Sequence, residues 1–182
     1  MKQAIIVVTC SKSYNTFLKD LLDSIVGKTK YPIIIHMATP DNNYEMSGIK
    51  LGVNLEIDEF FLLCDSIVIK DPRIFDIAFE EHKGKTVYLG SKFLSYVGKY
   101  RLDILKSMKL PTPMTRLDSC VQEFSFNGRY LDIEQNKIEL DPNFWKDTNT
   151  FEFRHGRNNM INQNEYLIKY KGHWTSTMLE DD

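Results

Sequence analysis

The sequence predicts an α/β fold, a single domain with a mostly parallel central sheet flanked by helices. Three observations carry that expectation. Apolar runs at residues 4–8, 31–37, 60–64 and 86–89 alternate with segments of helical spacing through the first ninety residues, the pattern of a parallel sheet with crossover helices. The first three runs are almost continuously apolar, as strands covered on both faces require. Polar, turn-rich segments follow the first two runs, where α/β sheets place binding residues.

The elements follow in order. Residues 4–8 (Ala-Ile-Ile-Val-Val) form the first strand, and Thr9-Cys10-Ser11-Lys12-Ser13 its polar turn. Phe17, Leu18, Leu21, Leu22 and Ile25 recur at helical spacing, with Gly27 as the stop. Residues 31–37 make the second strand and residues 38–44 a turn-rich loop. Residues 45–54 read as a short helix or turn, because Gly48 and Gly52 weaken the helical pattern. Phe60 to Cys64 is the next strand; Asp65-Ser66 interrupts it, and Ile67-Val68-Ile69 follows. Asp71 caps a helix over residues 73–82, with Pro72 in its first turn and Gly84 as its end. A strand at residues 86–89 closes the first half. In the second half, residues 93–100 are aromatic and glycine-punctuated, residues 101–108 and 115–126 read as helices, and residues 166–174 as a strand with a turn at Gly172. The remainder mixes short strands with polar loops. One unit over residues 1–182 is expected, with a nucleotide-binding half at 1–90, an acceptor-side half at 91–175 and a polar tail at 176–182.

Composition narrows the function. With 23 basic and 25 acidic residues the formal net charge is −2, which argues against a broad nucleic-acid-binding surface. Cys10, Cys64 and Cys120 are widely spaced, odd in number and without a CxxC pair, as expected for thiols in a reducing compartment. The apolar run at residues 4–8 is too short for a signal peptide, and no stretch approaches the ~18 apolar residues of a membrane span, so a cytoplasmic protein is expected. Neither GxGxxG nor GxxxxGK[ST] occurs. The hydroxyls of Thr9, Ser11 and Ser13 either contact a nucleotide at the helix N-terminus or cap that helix.

Asp65 is the focal residue. A carboxylate between two apolar strand runs is costly to bury, so it sits where a strand ends at an open edge or where donors or a cation meet it. The polar turn after the first strand, residues 48–54 (Gly-Ile-Lys-Leu-Gly-Val-Asn) and Phe60-Phe-Leu-Leu-Cys-Asp65 together resemble a GT-A-type glycosyltransferase. In that family a DxD-like motif at the end of a strand holds a divalent metal and the ribose-diphosphate of a nucleotide sugar. The motif is incomplete in this chain, because Ser66 and Ile67 stand where the family pattern has its second carboxylate.

The resemblance implies a GT-A-like fold and transfer of a sugar from a nucleoside-diphosphate sugar to a hydroxyl acceptor on a protein, a glycan or a modified base. It implies Asp65 and a late histidine, His173, as ligands of Mn²⁺ or Mg²⁺. Glu123 is the candidate general base, with Asp118 as the alternative. Thr9, Ser11, Lys50, Asn54 and Ser66 are expected around the donor. Arg157 and Lys171, with Arg154 and Lys169, form a C-terminal basic set for the departing phosphate. Two other readings stay open: an inactive binding or scaffold protein that kept the fold, favoured by the missing second carboxylate, and a nucleotidyltransferase. A metal-independent transferase that relies on the C-terminal cations is a further variant.

Overall fold

A computed structural model describes residues 1–10, 17–38, 46–89, 97–110, 116–144 and 160–170. The strands are β1 (Gln3–Thr9), β2 (Ile33–Met37), β3 (Glu59–Cys64), β4 (Ile67–Ile69), β5 (Thr86–Tyr88), β6 (Val97–Arg101), β7 (Lys137–Glu139), β8 (Met160–Gln163) and β9 (Leu167–Tyr170). The helices are α1 (Phe17–Ile25), α2 (Met46–Asn54), α3 (Arg73–Asp76), which runs on into a π-helical turn over Ile77–Glu81, α4 (Leu102–Lys106) and α5 (Arg116–Ile133).

The described strands build a six-stranded sheet in the order β2-β1-β3-β6-β5-β7 and a three-stranded sheet in the order β4-β9-β8. In the large sheet β1 pairs in parallel with both β2 and β3, and β5 in parallel with β7; β6 alone runs against its neighbours. The expected mixed α/β sheet, mostly parallel and flanked by helices, is what the chain forms. The reversed strand β6 lies in the aromatic, glycine-punctuated stretch that the pattern left unassigned. The small sheet is antiparallel throughout.

Two apolar layers cover the large sheet. On one face Ile5, Val7, Phe61 and Leu63 pack with Leu18, Leu21 and Ile25 of α1, Ile74 and Phe75 of α3, and Leu167 of β9. On the other, Ala4, Ile6, Val8, Phe60 and Leu62 meet Met46 and Ile49 of α2, Leu105 of α4, and Phe126 and Tyr130 of α5. All of β3 is buried, which explains its unbroken apolar run.

Two expectations change. The glycines of α2 are not weak points: a Cβ at Gly48 would stand 2.5 Å from Val8 Cγ2 and 2.7 Å from Leu62 Cδ1, and one at Gly52 2.4 Å from the Phe60 ring. They let the helix lie flat on the sheet. The fifth helix does not stop at residue 126. It continues to Ile133, because Phe126, Tyr130 and Leu131 share a buried stripe. Burial of those side chains outweighs the ~1 kcal/mol propensity loss at Gly128.

Candidate functional site at the carboxyl ends of the parallel strands

Strand order places the site. From β1 the chain crosses through α1 to β2 on one side, while β3 lies on the other side of β1. The junction of β1 and β3 is therefore the point where connections diverge, and ligands of open α/β sheets bind at the carboxyl end of such a junction. The ladder there reads Val7↔Leu63 and Val8↔Cys64, and the Asp65 N–H extends it by donating to the Val8 carbonyl at 3.0 Å. The next step sets Thr9 beside Asp65. Thr9 Oγ1 donates to Asp65 Oδ2 at 2.8 Å, and both residues are fully buried.

A second layer comes from the far end of the chain. Strand β9 pairs antiparallel with β4, with Ile67 opposite Lys169, and the Tyr170 N–H donates to the Ser66 carbonyl at 2.8 Å. This register drives the Lys169 ammonium against the residues that flank Asp65. It donates to Ser66 Oγ and lies 3.3 Å from Cys64 Sγ, while Cys64 Sγ and Ser66 Oγ stand 3.4 Å apart. Lys169 is 6% exposed and Ser66 1%. Burial pushes the Cys64 thiol above its ordinary range, against the lowering effect of the nearby Lys169 charge. Cys64 is therefore a neutral lining group.

Thr9, Asp65 and Ser66 thus come together as the sequence anticipates. Lys169 was expected among the cations of the C-terminal basic set, and the structure adds its burial against Ser66 and Cys64. The signal was present in β9. Leu167 and Lys169 alternate inward, so the lysine occupies a core register position.

Other candidates fall elsewhere. Asn54 is a correction: it ends α2 at the opposite edge, where the neighbouring Leu55 carbonyl accepts from Lys2 Nζ at the start of the chain. The helix runs antiparallel to β1 and β3, so its last residue cannot share an edge with Asp65. Lys50 is two residues beyond Gly48, turned by about 200° from the face pressed on the sheet. It is half-buried, and burial lowers its ammonium from the ordinary range. Glu123 lies in α5 roughly 16 Å along the axis from Glu134; its side chain is outside the described residues. The side chain of Asp118 is likewise outside them, and so are Ser11, Ser13, Arg154, Arg157, Lys171 and His173.

Among the described residues the donor set beside Asp65 is poor in ligands for a divalent cation. Around Asp65 the described groups are one carboxyl, the hydroxyls of Thr9 and Ser66, a thiol and an ammonium. Mg²⁺ and Mn²⁺ favour several oxygen ligands, and a fixed ammonium beside Ser66 opposes a second cation. No group of three His, Cys, Asp or Glu side chains suited to a metal occurs among the described residues.

The opposite edge is held by ion pairs. Lys99 Nζ bonds Glu59 Oε1 at 3.2 Å and the His82 carbonyl at 2.9 Å, with both charged side chains buried. Glu59 also accepts from Gly84 N and Gln3 Nε2. Glu134 Oε2 takes Arg101 Nη1 at 3.1 Å and Thr86 Oγ1 at 3.0 Å. A concavity of about 510 Å³ opens at this edge, lined among others by Asp58, Arg101, Asp103 and Lys106. There Arg101 pairs with Asp103 and Glu134, Lys106 lies 3.6 Å from Glu56, and Asp58 accepts from the Lys2 backbone N–H.

Comparison with known proteins places this fold in a class. No family model and no curated protein sequence matches the chain. Among solved structures the chain is similar to a glycosyltransferase involved in the glycosylation of the major capsid of PBCV-1, with TM-score 0.50, 10% identity, and coverage of 78% of this chain and 84% of that one. A197 from STIV matches with TM-score 0.48 and 11% identity over 78% of this chain and 83% of that one. The first likeness shows a glycosyltransferase-like fold. Among the described residues no helix is long and apolar enough to cross a membrane.

Proposed function

We propose that the protein is a glycosyltransferase that moves a sugar from a nucleoside-diphosphate sugar to a hydroxyl acceptor. The observation that carries this reading is the Thr9–Asp65 hydrogen bond across the β1–β3 junction, at the carboxyl edge of a glycosyltransferase-like sheet. In the reaction the bond from the sugar's anomeric carbon to the diphosphate oxygen breaks, and a bond from that carbon to the acceptor oxygen forms. The acceptor proton passes to a base, for which Glu123 on α5 is the candidate. The departing diphosphate gains negative charge, which a fixed cation at its oxygens stabilises. Thr9 holds the Asp65 carboxyl in one orientation, so that Asp65 meets the donor as a preset acceptor of hydrogen bonds.

The full burial of Asp65 and the serine at position 66 favour a second reading, a binding protein that kept the fold and lost the chemistry. Release of nucleoside diphosphate from a panel of sugar donors separates the two. The transferase reading expects slow release with water as acceptor for one donor base, reduced about tenfold or more in Asp65→Asn. Release from none of the donors, with any divalent ion, supports the binding protein instead.

A further inference from the structure

We propose that the Lys169 ammonium is the cation that receives the donor's diphosphate, in place of a divalent metal at Asp65. The inference rests on the donor reading above and names the charge that reading requires. Three observations carry it. Lys169 is delivered to this edge by backbone register: Ile67 faces it across the β4–β9 ladder, and the Tyr170 N–H to Ser66 carbonyl bond locks the next step. Its ammonium is seated on the two residues that bracket Asp65, donating to Ser66 Oγ with Cys64 Sγ at 3.3 Å. It is 6% exposed and held by Ser66 and Cys64, so its charge is fixed and poorly screened.

A divalent ion and this ammonium are alternatives. Both are cations, the ammonium already holds the Ser66 hydroxyl, and the described groups supply too few anionic ligands to hold the ion beside the lysine. An ammonium has three donors in flexible array and binds phosphate as a point charge. It stabilises the departing diphosphate without a proton transfer, because the leaving oxygens need charge rather than a bond. Ser66 is the positioning residue: its hydroxyl accepts from the ammonium and holds it at the junction.

The test is calorimetric titration of the full chain with UDP, GDP, CDP and ADP, each in EDTA and in Mn²⁺, repeated for Lys169→Met and Lys169→Arg. The inference expects one diphosphate to bind in EDTA within a few-fold of its affinity in Mn²⁺. It expects about tenfold or weaker binding in Lys169→Met, recovery in Lys169→Arg, and a fall in affinity with added salt. The wild-type comparison needs no variant to fold, and ligand-free melting of the variants reports any structural damage. Binding that requires Mn²⁺ overturns the inference and leaves the donor reading standing. Binding in EDTA that Lys169→Met leaves unchanged also overturns it. Binding of no diphosphate in any condition overturns both.

Discussion

At the scale of the residue, the chain treats its buried polar groups in two ways. Lys99 and Glu59 neutralise each other, and the surrounding Gln3, His82 and Gly84 groups complete their hydrogen bonds. Burial still holds the Lys99 ammonium below its ordinary range, with Glu59 acting against it. Thr9 and Asp65 form a neutral-donor pair at a strand end instead. The aspartate was legible in the sequence because a carboxyl between apolar runs needs a special place. The threonine was legible because it ends the first strand. What the sequence hid was the pairing of Lys169 with Ser66, 103 positions away in the chain; only strand pairing brings them together.

His36 gives a residue-scale prediction for pH. Its Nε2 lies 2.7 Å from Ser47 Oγ of α2, and burial lowers its pKa from 6.5. The unfolded chain therefore takes up a proton near pH 6.5 that the folded chain still refuses. Between the lowered folded value and 6.5 the unfolded state binds more protons, so stability falls as pH drops through that window. Below the folded value both states are protonated and the dependence ends. The slope from one proton is at most about 1.4 kcal/mol per pH unit. Urea unfolding of the wild type and His36→Gln at several pH values checks this. The stability difference between the two is expected to be flat above pH 6.5 and to shift against the wild type below it. A difference that stays constant down to pH 4.5 or so contradicts the assignment.

At the scale of the element, helix α2 shows why propensity misled. Two glycines at i and i+4 read as helix breakers, yet they form the face that meets β1 and β3. Local pattern carries no information about how near a sheet must come. Strand β6 was hidden for a related reason: its register position is fixed by β3 and β5, and glycine and lysine dilute its apolar character. Gly48→Ala puts a methyl 2.5 Å from Val8 Cγ2 and 2.7 Å from Leu62 Cδ1, against packed strand side chains that have little room to give. It is expected to destabilise by about 1–3 kcal/mol, read as a lower urea midpoint with an unchanged slope. A gain of stability, as helix propensity alone would give, contradicts the close packing described for α2.

At the scale of the whole molecule, the two edges of the sheet differ in the polar groups they carry. One edge carries the buried pair Lys99–Glu59 and the partly buried pair Arg101–Glu134, which fasten β3, β6 and the end of α5. The other edge ends β1, β2, β3 and β5, and gathers Thr9, Asp65, Ser66 and Lys169. The α/β class was readable because alternation of apolar runs and helical spacing is a local signal repeated along the first half. The assignment of functions to edges was not, because it depends on strand order and on a lysine from the last described strand. The central claim is that the Asp65 edge binds a nucleoside diphosphate. The most direct measurement is a titration of the isotopically labelled protein with the diphosphate that binds, followed through backbone amide shifts. The account predicts that the shifts cluster on Thr9, Asp65, Ser66 and Lys169. Shifts centred on Asp58, Arg101 and Asp103 would place the ligand in the concavity at the opposite edge and contradict it.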